Sequence, residues 1–170
     1  MEQELIIRSE RPDDIEDIAN VIQLAFADSP YSDQQEHLIV DNLRRADALH
    51  LAVIAQSKHQ IVGFAGISPV EISDGASNWY GLGPVAVLPN AQGEGVGSML
   101  IEELLLRLKL SGASGCVVLG DPGYYGRFGF IADEALSFAD FDPVLFQSIR
   151  FNDSLAQGEV SYHSAFYSPN

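Results

Sequence analysis

The sequence predicts a single α/β (α+β) domain over residues 1–170. Three observations carry that reading. β-rich apolar runs alternate with stretches whose apolar residues recur at helical spacing. A strand, a loop with glycine at 93, 95 and 97, and a Leu-rich helix follow one another in mid-chain. Several β runs precede that loop, while no second full helix follows Asp121, so the pattern is not that of a doubly wound sheet. A length of 170 residues bounds the chain to one core, and 46% hydrophobic residues suffice to fold it.

Leu5–Arg8 reads as a first strand. Pro12-Asp13-Asp14 opens a helix, with Pro in the first turn and acids at its positive end. In that helix Ile15, Ile18, Ala19, Ile22, Ala25 and Phe26 form an apolar face, and Asp28-Ser29-Pro30 stops it. A second helix is expected over about 32–46 from its apolar spacing, with Leu38, Ile39 and Leu43 inward. Leu49–Ala55 and Ile61–Ile72 read as strands joined by a hairpin at Ser57–Gln60. Asn78–Leu88 is the next strand; Pro84 inside it cannot donate to a ladder, which predicts a bulge or a break in pairing. After the loop, Val96, Leu100, Leu104 and Leu108 form an i, i+4 row that ends at Ser111-Gly112. Cys116–Gly120 is a short apolar strand, and Asp121–Gly126 supports only a turn or a very short helix. A last β-like run covers Glu159–Tyr167.

Composition excludes several function classes. Nine Lys and Arg stand against 24 Asp and Glu, for a net charge of −15. A nucleic-acid or anionic-membrane partner needs a basic face and is not expected. The charge is uneven: −8 over residues 1–50, −2 over 51–130 and −5 over 131–170, so the middle repels an anionic ligand least. The single cysteine, Cys116, allows no internal disulfide and reads as a core residue. His37, His50, His59 and His163 show no metal spacing, so no metal is expected. Met1–Glu10 lacks the basic-then-apolar order of a signal peptide. No apolar run approaches 18 residues, so the expected location is the cytoplasm.

The glycine loop makes a geometric proposition. The first amides of a helix are unpaired and carry the positive end of its dipole. Glycines let a bulky anion approach that backbone closely. A loop for nucleoside triphosphates needs Lys after its last glycine, and here Ser98 follows Gly97. A dinucleotide fingerprint would need glycine where Ser98 stands.

Gln92-Gly93-Glu94-Gly95-Val96-Gly97 resembles the Gln/Arg-x-x-Gly-x-Gly/Ala signature of the GNAT superfamily of acyl-CoA-dependent N-acetyltransferases. The preceding Pro84–Pro89 strand and the later Tyr125-Gly126-Arg127-Phe128-Gly129-Phe130, similar to the family's Tyr-x-x-x-Gly-Phe segment, stand in the family's order. Leu119–Phe130 together with Gly158–Phe166 looks like a bacterial subgroup of predicted N-acetyltransferases. The resemblance spans nearly the whole chain. It implies a mixed, largely antiparallel sheet flanked by helices and splayed at an acyl-CoA site, with acetyl-CoA as co-substrate and no metal.

On that resemblance, Gly93, Glu94, Gly95, Val96, Gly97 and Ser98 surround the coenzyme A pyrophosphate, with Gln92 at the loop entrance. Val85, Ala86 and Val87 pair with the pantetheine arm as a strand would, and Arg127 meets a phosphate. Tyr125 aligns with the family's general acid for the leaving thiolate, with Tyr124 as the alternative hydroxyl. A phenol with a pKa of about 10 beside a thiol near 8.5 suits that work. A backbone N–H near Val87 would steady the oxyanion. Glu71 is a candidate base acting through water, and Asp121 a second acid beside the site or a turn cap. Where many members carry an Asn before the tyrosine, this chain has Val118 and Leu119. The expected reaction is acetyl transfer to a primary amine, the acidity of the chain hinting at a cationic acceptor. The alternative is a non-catalytic acyl-CoA-binding or sensing module. The aromatic tail suits either a covered sheet or a dimer contact, so monomer and homodimer are both open.

Overall fold

The computed structural model describes residues 4–30 and 32–167. Met1–Gln3, the start of the segment read for a leader, lie outside the described residues. Strand β1 (Leu5–Ser9) runs into one 3-10 turn, Pro12–Asp14, and then helix α1 (Ile15–Phe26). The Asp14 carboxylate anchors this entry: it accepts from the Arg11 N–H at 2.7 Å and from both Arg8 guanidinium nitrogens at 2.7 and 3.1 Å. Ile18 and Ile22 bury the middle of the expected face, joined by Val21, while Ile15, expected on that face at the helix start, is exposed.

Helix α2 spans Glu36–Arg45, four residues shorter at its start than the spacing predicts. The Ser32 hydroxyl accepts from the Gln34 N–H and donates to the Glu36 carboxylate, and Gln34 has φ +67. These local bonds hold residues 32–35 in a turn and compete with helix. Strands β2 (Leu51–Ser57) and β3 (Gln60–Pro69) form the expected hairpin, with Lys58 at φ +57 in its turn. The predicted run through Ile72 divides at Val70: Pro69 ends β3, and β4 (Glu71–Ile72) joins a different sheet.

Strand β5 (Trp79–Val87) leads to helix α3 (Val96–Leu110), in which Val96, Leu100, Leu104 and Leu108 are all buried as their row predicts. Strand β6 (Gly115–Leu119) and the single-turn helix α4 (Pro122–Tyr125) follow, then the short strands β7 (Ile131–Ala132) and β8 (Leu136–Ser137). Strand β9 (Phe146–Arg150) was not anticipated, because its buried face includes Gln147 and Ser148 and hides the apolar pattern. Strand β10 is Gly158–Ser161 only. The rest of the predicted terminal run turns at Ser164–Phe166, where His163 Nδ1 accepts from the Ala165 N–H at 3.1 Å.

The main sheet has the order β1-β2-β3-β5-β6-β9-β7, and every pairing is antiparallel except β5 with β6. It is the mixed, largely antiparallel sheet expected. Beside it lies a small sheet, β4-β10-β8. The principal core packs α1, α2 and α3 against the main sheet; Gly63 of β3 lets α3 approach, since a Cβ there would lie 3.0 Å from Leu100 and Val96. Cys116 is fully buried in it, as expected, and burial pushes its thiol pKa up.

Two irregularities in β5 shape everything that follows. Gly83-Pro84 is a cis peptide, and the β3–β5 register skips it: Ala65 pairs with Val85 and Ile67 with Leu82. This is the bulge that Pro84 predicts. On its other side, β5 pairs with β6 only at Trp79–Gly81 against Gly115–Val117. Beyond Gly81 the two strands part, and the sheet opens a gap.

Candidate active site

The gap has a backbone edge. Leu88 donates its N–H to Val62 of β3 at 2.8 Å. Since successive residues of a strand point their amides to opposite sides, the N–H groups of Val87 and Val85 face away from β3, toward the gap. Ala86, between them, is turned to β3 and its side chain is buried. Of the three residues expected to pair with a pantetheine arm, two therefore offer free amides to it.

At the end of β5 the chain makes a 3-10 turn, Pro89–Ala91, and enters the glycine loop. The three glycines do different work. Gly93 and Gly95 have φ of +81 and +85, a left-handed region that other residues enter at a cost. Gly95 is the N-cap of α3. Gly97 has ordinary helical geometry, but a Cβ there would lie 2.7 Å from the Tyr124 hydroxyl, so its glycine gives room to the ring. A cavity of about 310 Å³ sits on this turn, lined by Val87, Ala91, Gln92, Gly93, Gly95, Val96, Gly97, Ser98, Tyr124 and Arg127.

Most of the residues singled out in the sequence thus meet in one place. Gln92 is a brace: its Nε2 donates to the Val87 carbonyl at 3.0 Å. Arg127 lies over the Tyr124 ring at 4.7 Å and donates to Ser98 Oγ at 3.3 Å, which holds a positive charge above the helix start. Glu94 differs: it does not line this cavity but a separate depression with Lys58, His59 and Asn90. Asp121 is the turn cap, its Oδ1 accepting from the Gly123 N–H at 3.0 Å.

Tyr125 belongs to the other end of the gap. Its ring packs on Gly120, just past β6, where a Cβ would lie 2.5 Å from Cε2. Burial pushes its pKa up to about 12, the neighbouring Tyr124 adding to the rise. Tyr124 itself lines the loop cavity, so the two adjacent hydroxyls serve different regions. Glu71 is exposed on β4 and lines a cavity with Ser161, Tyr162, His163 and Tyr167, apart from the loop.

Two residues escaped the sequence reading. Gln147, 1% exposed on β9, donates Nε2 to the carbonyls of Gly120 and Leu145 and so fixes the end of β6 under Tyr125. Its only sequence signal is a polar residue inside an apolar run. Tyr162 belongs to the Gly158–Phe166 segment that carries the resemblance, but the sequence assigns it no role at the site. Its ring lies against Gly81, the last residue of β5 that pairs with β6, and a Cβ at Gly81 would lie 2.5 Å from it. Burial pushes its pKa up, with Cys116, Tyr167 and Tyr125 adding to the rise. Two further histidines pack locally: His50 stacks on Tyr80 and His37 contacts Gln23. Among the described residues no cluster of His, Cys, Asp or Glu is placed to hold a metal ion, and no helix is long and apolar enough to cross a membrane.

A sheet parted beside a glycine-rich helix start defines the class: an acetyltransferase fold. Residues 48–132 match the family model of the acetyltransferase (GNAT) domain. The chain is 34% identical over 127 residues to the uncharacterized N-acetyltransferase YhbS of Escherichia coli K12, covering 74% of this chain and 73% of that protein. A crystal structure of a GNAT family acetyltransferase from Brucella melitensis, in complex with acetyl-CoA, superposes with a TM-score of 0.87 at 46% identity, covering 97% of this chain and 99% of that one. The structure of YhbS from Escherichia coli in complex with CoA gives 0.89 at 29% identity, over 99% and 94%. The chain belongs to the GNAT family of N-acetyltransferases.

Proposed function

We propose that this protein transfers the acetyl group of acetyl-CoA to a primary amine by direct attack on the thioester. The observation that carries the reading is the juxtaposition of a glycine-loop helix start, two gap-facing strand amides and the Tyr125 phenol along one opening of the sheet. The relatives crystallised with acetyl-CoA and CoA support it. The pyrophosphate sits on the amides of Gly93–Ser98, where the helix dipole and Arg127 favour negative charge. The pantetheine arm extends along β5, taking the amides of Val85 and Val87 as an added strand would.

In the reaction the amine lone pair attacks the carbonyl carbon, the C–S bond breaks, and the nitrogen gives up a proton. Tyr125 donates its proton to the departing sulfur. In water a thiolate near 8.5 is a weaker base than a phenolate near 12, so that transfer would run uphill. The sulfur loses water as it leaves beside this half-buried phenol, however, and desolvation raises the basicity of a thiolate in the same direction. Glu71, exposed on β4 beside Tyr162, takes the proton from the amine through water.

The test separates binding from chemistry. Calorimetry with CoA on the wild type should show one site, and Tyr125→Phe should retain that affinity while kcat falls by about 10²–10⁴-fold. Glu71→Gln should lower kcat near neutral pH, with less effect at high pH, where the amine arrives already neutral. Retained CoA binding without any acetyl transfer from the wild type would instead favour a sensing module.

A further inference from the structure

Where β5 and β6 part, another cavity of about 380 Å³ opens, and its lining is apolar and largely aromatic. Leu82 of β5 and Leu119 of β6 form its floor at the mouth of the gap, with Phe138, Phe141, Tyr162 and Phe166 as walls. The rings brace one another. Phe138 stacks flat on Phe141 at 5.3 Å, meets Tyr162 edge-on at 4.9 Å, and Tyr162 in turn packs against Phe166 at 5.2 Å. Tyr167 completes the lining, and its hydroxyl is engaged by the Tyr162 N–H at 3.0 Å. Among the described residues, no charged side chain lines this box.

We propose that this box is the acceptor subsite and that it selects amines carrying an aromatic body, such as arylalkylamines, over polycationic amines. The inference rests on the acetyl-transfer reading and adds the substrate class. The box shares its floor with the gap in which the thioester lies, so an amine held there presents its nitrogen to the carbonyl. An aromatic body gains both apolar burial and ring contacts. A polyamine would carry its further charges, and a lysine peptide its polar backbone, into this apolar lining, at a desolvation cost. Desolvation of the nitrogen favours the neutral, nucleophilic form of a bound primary amine, and Glu71, outside the lining, takes up the proton through water. The overall acidity of the chain points to a cationic acceptor, but that field acts at long range and is screened, while the box acts at contact.

The experiment compares phenethylamine and tryptamine with spermidine and a lysine peptide, following thiol release from acetyl-CoA on the whole chain. Calorimetry of tryptamine with the CoA-loaded protein runs in parallel. The expected result is a kcat/KM at least tenfold higher for the arylalkylamines and a detectable tryptamine site. Phe141→Ser and Tyr167→Ala, both at exposed positions, should weaken tryptamine about tenfold without changing CoA affinity. Equal or better turnover of spermidine or the peptide, or tryptamine binding that neither variant alters, would overturn the acceptor class and leave acetyl transfer standing. Failure to bind CoA would remove the acetyl-transfer reading and this one with it.

Discussion

Tyr125 couples its surroundings to a measurable pH profile. A proton donor works in its protonated form, which is present below its pKa. Burial holds that pKa near 12, so the alkaline loss of activity due to Tyr125 moves up, beyond about pH 11. A tyrosine left near its ordinary value of about 10 would already be half ionised at pH 10. The kcat of the wild type at saturating amine should therefore stay level between about pH 9 and 11. An alkaline limb centred near 10 that vanishes in Tyr125→Phe would show the phenol to be unshifted. Gly95 is the complementary case, a residue whose backbone is its contribution. At φ +85 it opens α3, and Gly95→Ala should cost about 1–2 kcal/mol of stability from left-handed strain. Urea denaturation reads that loss, and CoA affinity should fall with it as the helix-start amides shift. Unchanged midpoint and affinity would mean the loop is not held in this conformation.

At the scale of elements, the clearest structural device is the entry to α1. The Asp14 carboxylate, 7% exposed, is held below its ordinary pKa by the Arg8 hydrogen bonds first, against the opposing effect of burial, and by the Arg11 N–H. A depressed carboxylate contributes stability above its unfolded pKa of about 3.9, and that contribution is lost as pH falls through the folded value. Asp14→Asn should thus lower stability at pH 7 by about 1–3 kcal/mol, leaving Arg8 without its charge partner. The difference from wild type should shrink below pH 3. The same scale explains what the sequence could reveal. The Val96–Leu108 row and the Pro84 bulge were legible because each follows from local periodicity or a missing donor. The glycine loop was legible because φ and close approach demand that residue type. Strand β9 was hidden, since Gln147 and Ser148 are buried by tertiary pairing that no local pattern announces. The aromatic box was hidden for a related reason: Leu82, Leu119, Phe138 and Tyr162 lie far apart in the chain and meet only because β5 and β6 part.

For the whole molecule, the gap makes the sheet two blocks. Strands β1, β2, β3 and β5 form one, and β6, β9 and β7 the other, joined in the ladder by three residue pairs at Trp79–Gly81. A cofactor arm lying along β5 extends the contact between the blocks at the place where protein pairing stops. Ligand binding to the native state alone stabilises it by about 2.7 kcal/mol at a hundredfold excess over Kd. Mass action would give this gain wherever the ligand sat, so a shift in melting temperature by itself says little about the mode of binding. Hydrogen exchange resolves position. The amides of Val85 and Val87 face the gap, whereas Ala86 and Leu88 bond to β3. In the free protein Val85 and Val87 should exchange faster than these neighbours, and CoA should slow them selectively, by at least about tenfold beyond the general protection that stabilisation confers. Uniform protection along β5 would mean that the arm does not pair with this edge, even if the pyrophosphate is held at the loop.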